Sequence, residues 1–182
     1  MIGVGNTTVI NDGLIAGGMS AGGAQANAVE FTGGGNKLEL WKNFGFEGAA
    51  IAFGASDDTF ALGGVEDHFF DVGRFGSDFV GFDLFVKEDS SEWDIRSGTT
   101  GLVTPWSING GVLIVSQEGS LGDTSGDLSF DGGTLRVTGN SFMGTSRGIT
   151  INSNGGGFDI DSASNVFRLD QAIQAGTPGG GL

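Results

Sequence analysis

A two-part strand signal returns about every 22 residues in the second half of this 182-residue chain. It reads Ser107-Ile108-Asn109-Gly110-Gly111-Val112-Leu113-Ile114-Val115, then Ser129-Phe130-Asp131-Gly132-Gly133-Thr134-Leu135-Arg136-Val137. A looser copy runs from Thr150-Ile151-Asn152 through Gly155-Gly156-Gly157 to Phe158-Asp159-Ile160. A fixed period of that size belongs to stacked repeats, in which each unit buries its apolar face against its neighbours. Function is then sought on the faces of a solenoid, not in the cleft of a globular fold.

Aligned by column, Ile108, Phe130 and Ile151 form one apolar set, Leu113, Leu135 and Phe158 a second, and Val115, Val137 and Ile160 a third. Between the last two sets lie Ile114, Arg136 and Asp159, which share no chemistry. Alternate residues of a strand face opposite ways, so the uniform columns are core ladders and the mixed column points outward. The first half repeats the logic. Phe31 aligns with Phe53, Leu38 with Phe60 and Leu40 with Leu62, across the corners Gly33-Gly34-Gly35-Asn36 and Gly54-Ala55-Ser56-Asp57. Val86, 22 residues before Ile108, and Trp93 mark one further rung.

These patterns predict an all-β fold, a parallel β-helix of about eight rungs with a period of about 22 residues. The leucine-and-asparagine consensus of leucine-rich repeats is missing. Residues 1–175 are expected to form a single array with an irregular joint near 63–81, and residues 176–182 a flexible tail. Eight rungs at ~4.8 Å per strand spacing give a rod of roughly 40 Å.

Composition narrows function. Acidic residues outnumber basic ones 22 to 8, a net charge of −14, which opposes binding to nucleic acid or to anionic lipid. The chain has no cysteine, which removes thiol chemistry and cysteine zinc sites. No apolar stretch is long enough to span a membrane as a helix, and Met1-Ile2-Gly3-Val4-Gly5-Asn6 has no basic segment and no apolar core of signal-peptide type. With no evident cap on either end, the chain is expected to be a piece of a longer protein.

The segment Trp106 to Ser116, then Gly119-Ser120-Leu121-Gly122, then Leu128 to Val137 resembles the autotransporter-associated β-strand repeat. Gly81 to Lys87 with Trp93-Asp94-Ile95 is similar to the segment that often precedes it, and Ala28 to Leu40 looks like passenger rungs of the same group. Together these cover about residues 28–170. The resemblance implies a right-handed parallel β-helix displayed on the Gram-negative cell surface by type V secretion, in adhesion, in aggregation or as a stalk. It also implies a translocator β-barrel elsewhere in the full-length chain.

Other motifs carry less. Gly3-Val4-Gly5-Asn6-Thr7-Thr8 lacks the third glycine and the helix of a dinucleotide loop. Gly122-Asp123-Thr124-Ser125-Gly126-Asp127 looks like a serine-protease loop, but the one histidine, His68, has no triad around it. Asp57 and Asp58 are the nearest approach to a calcium site, resembling half of a nonapeptide calcium motif. Their counterparts 22 residues back are Gly35 and Asn36, beside Lys37, which makes a solvated acidic corner the better reading. The pairs Glu66-Asp67, Glu88-Asp89 and Asp159 with Asp161 have the residue types of glycoside hydrolysis, and Trp41, Trp93 and Trp106 those of sugar platforms. Solvated surface carboxylates and indoles that cover a corner or end of the core are the better readings.

The reading is therefore a non-enzymatic surface protein, a passenger segment acting as stalk or adhesin. No cofactor is expected. The partner would be a host or bacterial surface ligand, met by outward columns and by corner loops such as Gln117-Glu118-Gly119. A monomer is expected. The alternatives are a polysaccharide-binding or polysaccharide-cleaving β-helix, with clustered carboxylates of perturbed pKa in a groove, and a trimeric fibre.

Overall fold

The computed structural model describes residues 1–54 and 57–176. Ala55 and Ser56 of the acidic corner, and all of the expected tail but Gly176, lie outside them. The first rung runs through β1 (Ile2–Val4), β2 (Thr8–Asn11) and β3 (Leu14–Ala16), the second through β4 (Val29–Thr32), β5 (Lys37–Leu40) and β6 (Gly45–Glu47). The third holds β7 (Ala50–Phe53), β8 (Thr59–Leu62) and β9 (His68–Asp71), and the fourth β10 (Phe79–Val80), β11 (Leu84–Lys87) and β12 (Glu92–Arg96). There follow β13 (Trp106–Ile108) with β14 (Val112–Val115), and β15 (Leu128–Phe130) with β16 (Thr134–Val137). The last two rungs comprise β17 (Gly144–Thr145), β18 (Ile149–Ile151) and β19 (Gly157–Ile160), then β20 (Arg168–Leu169) and β21 (Ile173–Ala175).

Strands stack in parallel from rung to rung and build three main faces. The first face is a four-stranded sheet in the order β1-β4-β7-β10. The second has eight strands, β2-β5-β8-β11-β13-β15-β18-β21, and the third five, β9-β12-β14-β16-β19. The result is an all-β solenoid of about six turns with a period of about 23 residues. Counted as complete turns this is fewer than the eight rungs expected, although eight strands pass along the second face. Eight passes exist only on the second face, because the other two faces contribute fewer strands.

The period is not constant, and this corrects two alignments. Thr8 pairs with Lys37, 29 residues on, and Thr59 with Leu84, 25 on, whereas Phe85 pairs with Trp106, 21 on. Phe31 therefore pairs with Ala52, not Phe53, and Phe53 points outward. Val86 pairs with Ser107, and it is Lys87 that stands opposite Ile108. A step of 21 where 22 was assumed moves the side chain to the other face of the strand, because strand periodicity is two.

Ile108, Phe130 and Ile151 share one register column, Leu113, Leu135 and Phe158 a second, and Val115, Val137 and Ile160 a third. The members from β13 to β16 are buried, whereas Ile151, Phe158 and Ile160 are only partly covered. Fewer strands stack beyond them at this end. In the mixed column, Arg136 lies between Ile114 and Asp159, and its guanidinium reaches Asp159 and Glu92 at 2.7 Å each.

Residues 63–81 contain β9, a 3-10 turn at Val72–Arg74, and β10. β9 pairs with β12 and β10 with β7, so the segment carries both a third-face and a first-face strand. Here the core is aromatic. The Phe60 ring lies 4.9 Å from Phe75, 5.1 Å from Phe70 and 5.2 Å from Phe79, in edge-on or tilted geometry. Such pairs each add ~0.5–1.5 kcal/mol to the burial of the rings.

Candidate functional site

Three outward surfaces follow from the alternation within strands. On the first face, β1, β4, β7 and β10 together carry one charged residue, Glu30. On the second face the outward column runs Val86, Ser107, Ser129, Thr150, Gln174, with a 3.0 Å hydrogen bond from Ser129 Oγ to Ser107 Oγ. The third face is ionic, with Arg136 bridging Glu92 and Asp159 and Arg96 bonded to Asp94 at 2.7 Å.

Chemistry concentrates at the N-terminal end of the second face. Lys37 and Glu39 point outward from β5 on the second rung, and Glu88 follows β11 on the fourth. Ala61 pairs with both Glu39 and Val86 and is fully buried, which fits a small residue lying beneath side chains that span the rungs on either side. Lys37 Nζ sits 3.0 Å from Glu39 Oε2 and also contacts Glu88 Oε1. The Trp41 indole N–H donates to Glu39 Oε1 at 2.5 Å. Burial pushes the Glu39 carboxyl up, but the bonds from Trp41 and Lys37 outweigh burial and hold it below the usual carboxylate range. Burial also pushes Glu88 up, and there Lys37 only partly offsets it. Burial lowers the Lys37 ammonium, and its bonds to Glu88 and Glu39 reverse the effect, leaving it raised.

Two carboxyls driven apart in pKa are the usual mark of an acid–base pair. A glycoside hydrolase needs both carboxyls free to reach the scissile oxygen or a water. Here one ammonium bonds both carboxyls, and Glu39 is 5% exposed. The arrangement is a strap across the rungs, with its three charges engaged with one another.

Beside the strap lies a groove of about 230 Å³, walled by Trp41, Asp12, Gly64 and Glu66. Its polar groups are already paired. Lys42 bonds Glu66 at 3.0 Å, and Asp12 accepts from the Asn43 backbone and side-chain amides at 3.1 and 3.0 Å. Trp93 and Trp106 are buried, and the Trp93 indole N–H donates to the Gly63 carbonyl at 2.9 Å. Only Trp41 keeps part of its surface accessible.

The remaining candidates are placed as follows. Asp58 is fully buried and accepts from the Asn36 backbone and side-chain N–H groups, both at 2.8 Å, while Asp57 is exposed with φ 71°. Among the described residues no three acidic or histidine side chains gather in metal-binding geometry. Ser125 Oγ donates to Asp123 at 2.8 Å in a local turn, while His68 packs on β9 against Phe44 and Trp93. Ser125 lies in the loop after β14, two strand steps along the third face from β9, so the structure brings no histidine to this loop. Asp67 accepts from the Glu92 backbone N–H at 2.8 Å, and the Asp89 side chain from Gly64 N–H at 2.8 Å. Gln117 donates to the Gly98 carbonyl at 2.7 Å, and Thr145 to Glu118 at 2.6 Å, so this corner is tied to the body.

Two buried cations escaped sequence reasoning. Lys87 takes an inward position between Leu62 and Ile108, and its Nζ donates to the Glu88 and Gly110 carbonyls. Burial lowers its pKa to about 8. Arg147 is likewise buried and donates to the Gly122, Asp123 and Gly126 carbonyls at 2.6, 2.7 and 2.8 Å, gathering the loop before β15. A register of 21 residues reveals Lys87. No local sequence pattern reveals Arg147.

Comparison with known proteins gives one relative of interest. The chain is 34% identical over 79 residues to the adhesin BmaC autotransporter of Brucella suis biovar 1 (strain 1330). The match takes in 43% of this chain and 2% of that protein. No protein-family model matches the chain, and no solved structure matches it.

Proposed function

We propose that this chain is a segment of a surface-displayed autotransporter passenger that acts as a non-catalytic stalk or adhesin. The observation that carries the reading is the continuity of the outward faces. Backbone bonds join the rungs, and a carboxyl pair with split pKa values, Glu39 and Glu88, is bridged by Lys37. The adhesin named among its relatives supports the same reading. A stack of this kind holds more distal surface away from the membrane, and the outward columns offer contacts to a host or bacterial surface ligand. A translocator barrel elsewhere in the full-length protein and display at the Gram-negative cell surface belong to this proposal.

The split of Glu39 and Glu88 favours a second reading, a β-helix that binds or cleaves polysaccharide. One experiment separates the two. The purified chain is presented to a glycan array, and polysaccharides are assayed in parallel for release of reducing ends. The stalk or adhesin reading predicts no cleavage and, for an adhesin, array binding unchanged in Glu88→Gln. Cleavage lost in Glu88→Gln would establish the enzyme instead.

A further inference from the structure

We propose that Asn109 is a site of spontaneous deamidation, a slow chemical step by which the folded chain gains a negative charge at the corner after β13. Two Asn-Gly pairs occur in the chain, Asn109-Gly110 and Asn154-Gly155. Glycine after asparagine leaves its peptide nitrogen open to the side-chain amide, because it has no Cβ to obstruct the approach. The structure treats the two pairs differently. Asn109 is exposed. Its backbone N–H donates to the Lys87 carbonyl at 2.7 Å, and the Gly110 carbonyl accepts from Lys87 Nζ at 3.2 Å. The Gly110 N–H between them has no acceptor among the described residues. Gly133 of the next rung leaves that nitrogen uncovered, since a Cβ there would lie 2.9 Å from it. Asn154 is exposed as well, but its turn is fastened. The Asn154 N–H donates to Asp131 Oδ1 at 3.0 Å and the Gly155 N–H to the Asn152 carbonyl at 3.0 Å, while the Gly155 carbonyl accepts from the Gly132 N–H at 2.8 Å.

The step needs only water. The Gly110 nitrogen gives up its proton to hydroxide and attacks Asn109 Cγ. The new C–N bond closes a five-membered imide, and Nδ2 leaves as ammonia, taking a proton from water and restoring the hydroxide. Water then adds to either imide carbonyl and opens the ring, giving aspartate or isoaspartate. The Gly155 nitrogen must first break its bond to Asn152, whereas the Gly110 nitrogen has none to break. Sequence alone gives the opposite order. Ile108 precedes Asn109 and Ser153 precedes Asn154, and a β-branched neighbour stiffens and crowds the chain. The product matters to the corner. Ile108 pairs with Lys87 and with Phe130, so Glu88, Asn109 and Asp131 stand at the same corner on successive rungs. Conversion makes that corner an unbroken row of carboxylates, in a chain already at −14.

The test is timed peptide mapping by mass spectrometry. The purified chain is held at mildly alkaline pH and physiological temperature, once folded and once in concentrated urea. Conversion is read as a gain of about 1 Da in the peptide that contains each asparagine, and hydroxylamine cleavage between Asn109 and Gly110 traps the imide. In the folded chain Asn109 is expected to convert severalfold faster than Asn154, and in urea the order is expected to level or reverse. Asn109→Gln, checked for unchanged circular dichroism, removes the fast conversion and leaves the rate at Asn154 as it was. Equal rates in the folded chain, or Asn154 ahead, overturn the proposal. Protection of both asparagines in the folded chain overturns it too. So does the same ratio folded and in urea, which would assign the difference to sequence alone.

Discussion

Lys87 is a cation in a column of hydrocarbon. Its neighbours in register are Leu62 and Ile108, and its ammonium survives burial by bonding two corner carbonyls. The solvation it gives up lowers its pKa to about 8, against the ordinary 10.5. Between those values the unfolded chain binds more protons than the folded one, so this group makes stability rise with pH through that window. The gain is at most about 3 kcal/mol. Lys87→Met fills the same column without the charge and is predicted to melt at or above the wild-type temperature at pH 7, since burying a cation seldom outperforms hydrocarbon. The rise between pH 8 and 10.5 should be missing from its stability profile, measured by urea titration at several pH values. A variant several kcal/mol less stable at pH 7 would mean that the carbonyl bonds outweigh the desolvation. Sequence alone put Val86 in this column because it assumed a constant period. The rung is one residue shorter, and nothing local to Val86 or Lys87 records that.

At the scale of elements, ladders and corners divide the work. Phe130 stands in the middle of its column, bonded through β15 to the strands on both sides, and is fully buried. Phe130→Ala is predicted to cost ~3–5 kcal/mol, read as a shift in the urea midpoint with little change in slope. The corner after β13 is as demanding. Gly111 has φ 57°, and a Cβ there would lie 2.3 Å from the Ser91 carbonyl oxygen and 2.7 Å from Lys87 Nζ. Any side chain at that position must displace the neighbouring rung. The strap obeys electrostatics instead. Lys37→Met leaves Glu39 and Glu88 facing each other without a counter-charge, which pushes carboxyl pKa values above their unfolded values. Ionisation then destabilises the fold, so the variant is predicted to lose ~1–2 kcal/mol at pH 7 and to recover part of it near pH 4–5, when one carboxyl takes up a proton. A loss independent of pH would mean that the lysine acts by packing alone. The strap was invisible in sequence because its members lie 51 residues apart, two rungs away from each other. The acidic pair Glu88-Asp89 was legible, but its partner Lys37 was not.

At the scale of the whole molecule, the solenoid was legible because its regular half announces it. From β13 to β16 the step is 22 residues and the columns are uniform. The N-terminal half winds by the same physics with steps of 29, 22 and 25 residues, from Thr8 to Lys37 to Thr59 to Leu84, so its corners absorb insertions that blur any fixed period. Surface chemistry was the least legible level. Which residues are outward depends on register, and a slip of one exchanged Phe53 for Ala52 and so concealed an apolar face. Stacking of the rungs is directly measurable with paired nitroxide labels, because the chain has no cysteine of its own. Ile10, Ser129 and Gln174 lie in one outward column, in the first, sixth and eighth strands of the second face. Pulsed electron–electron resonance on Ile10→Cys with Ser129→Cys, and on Ile10→Cys with Gln174→Cys, should give narrow distributions near ~24 and ~34 Å, five and seven strand spacings. Distances that fail to grow with the number of intervening rungs, or that spread broadly for both pairs, would contradict the stacked solenoid and everything built on it.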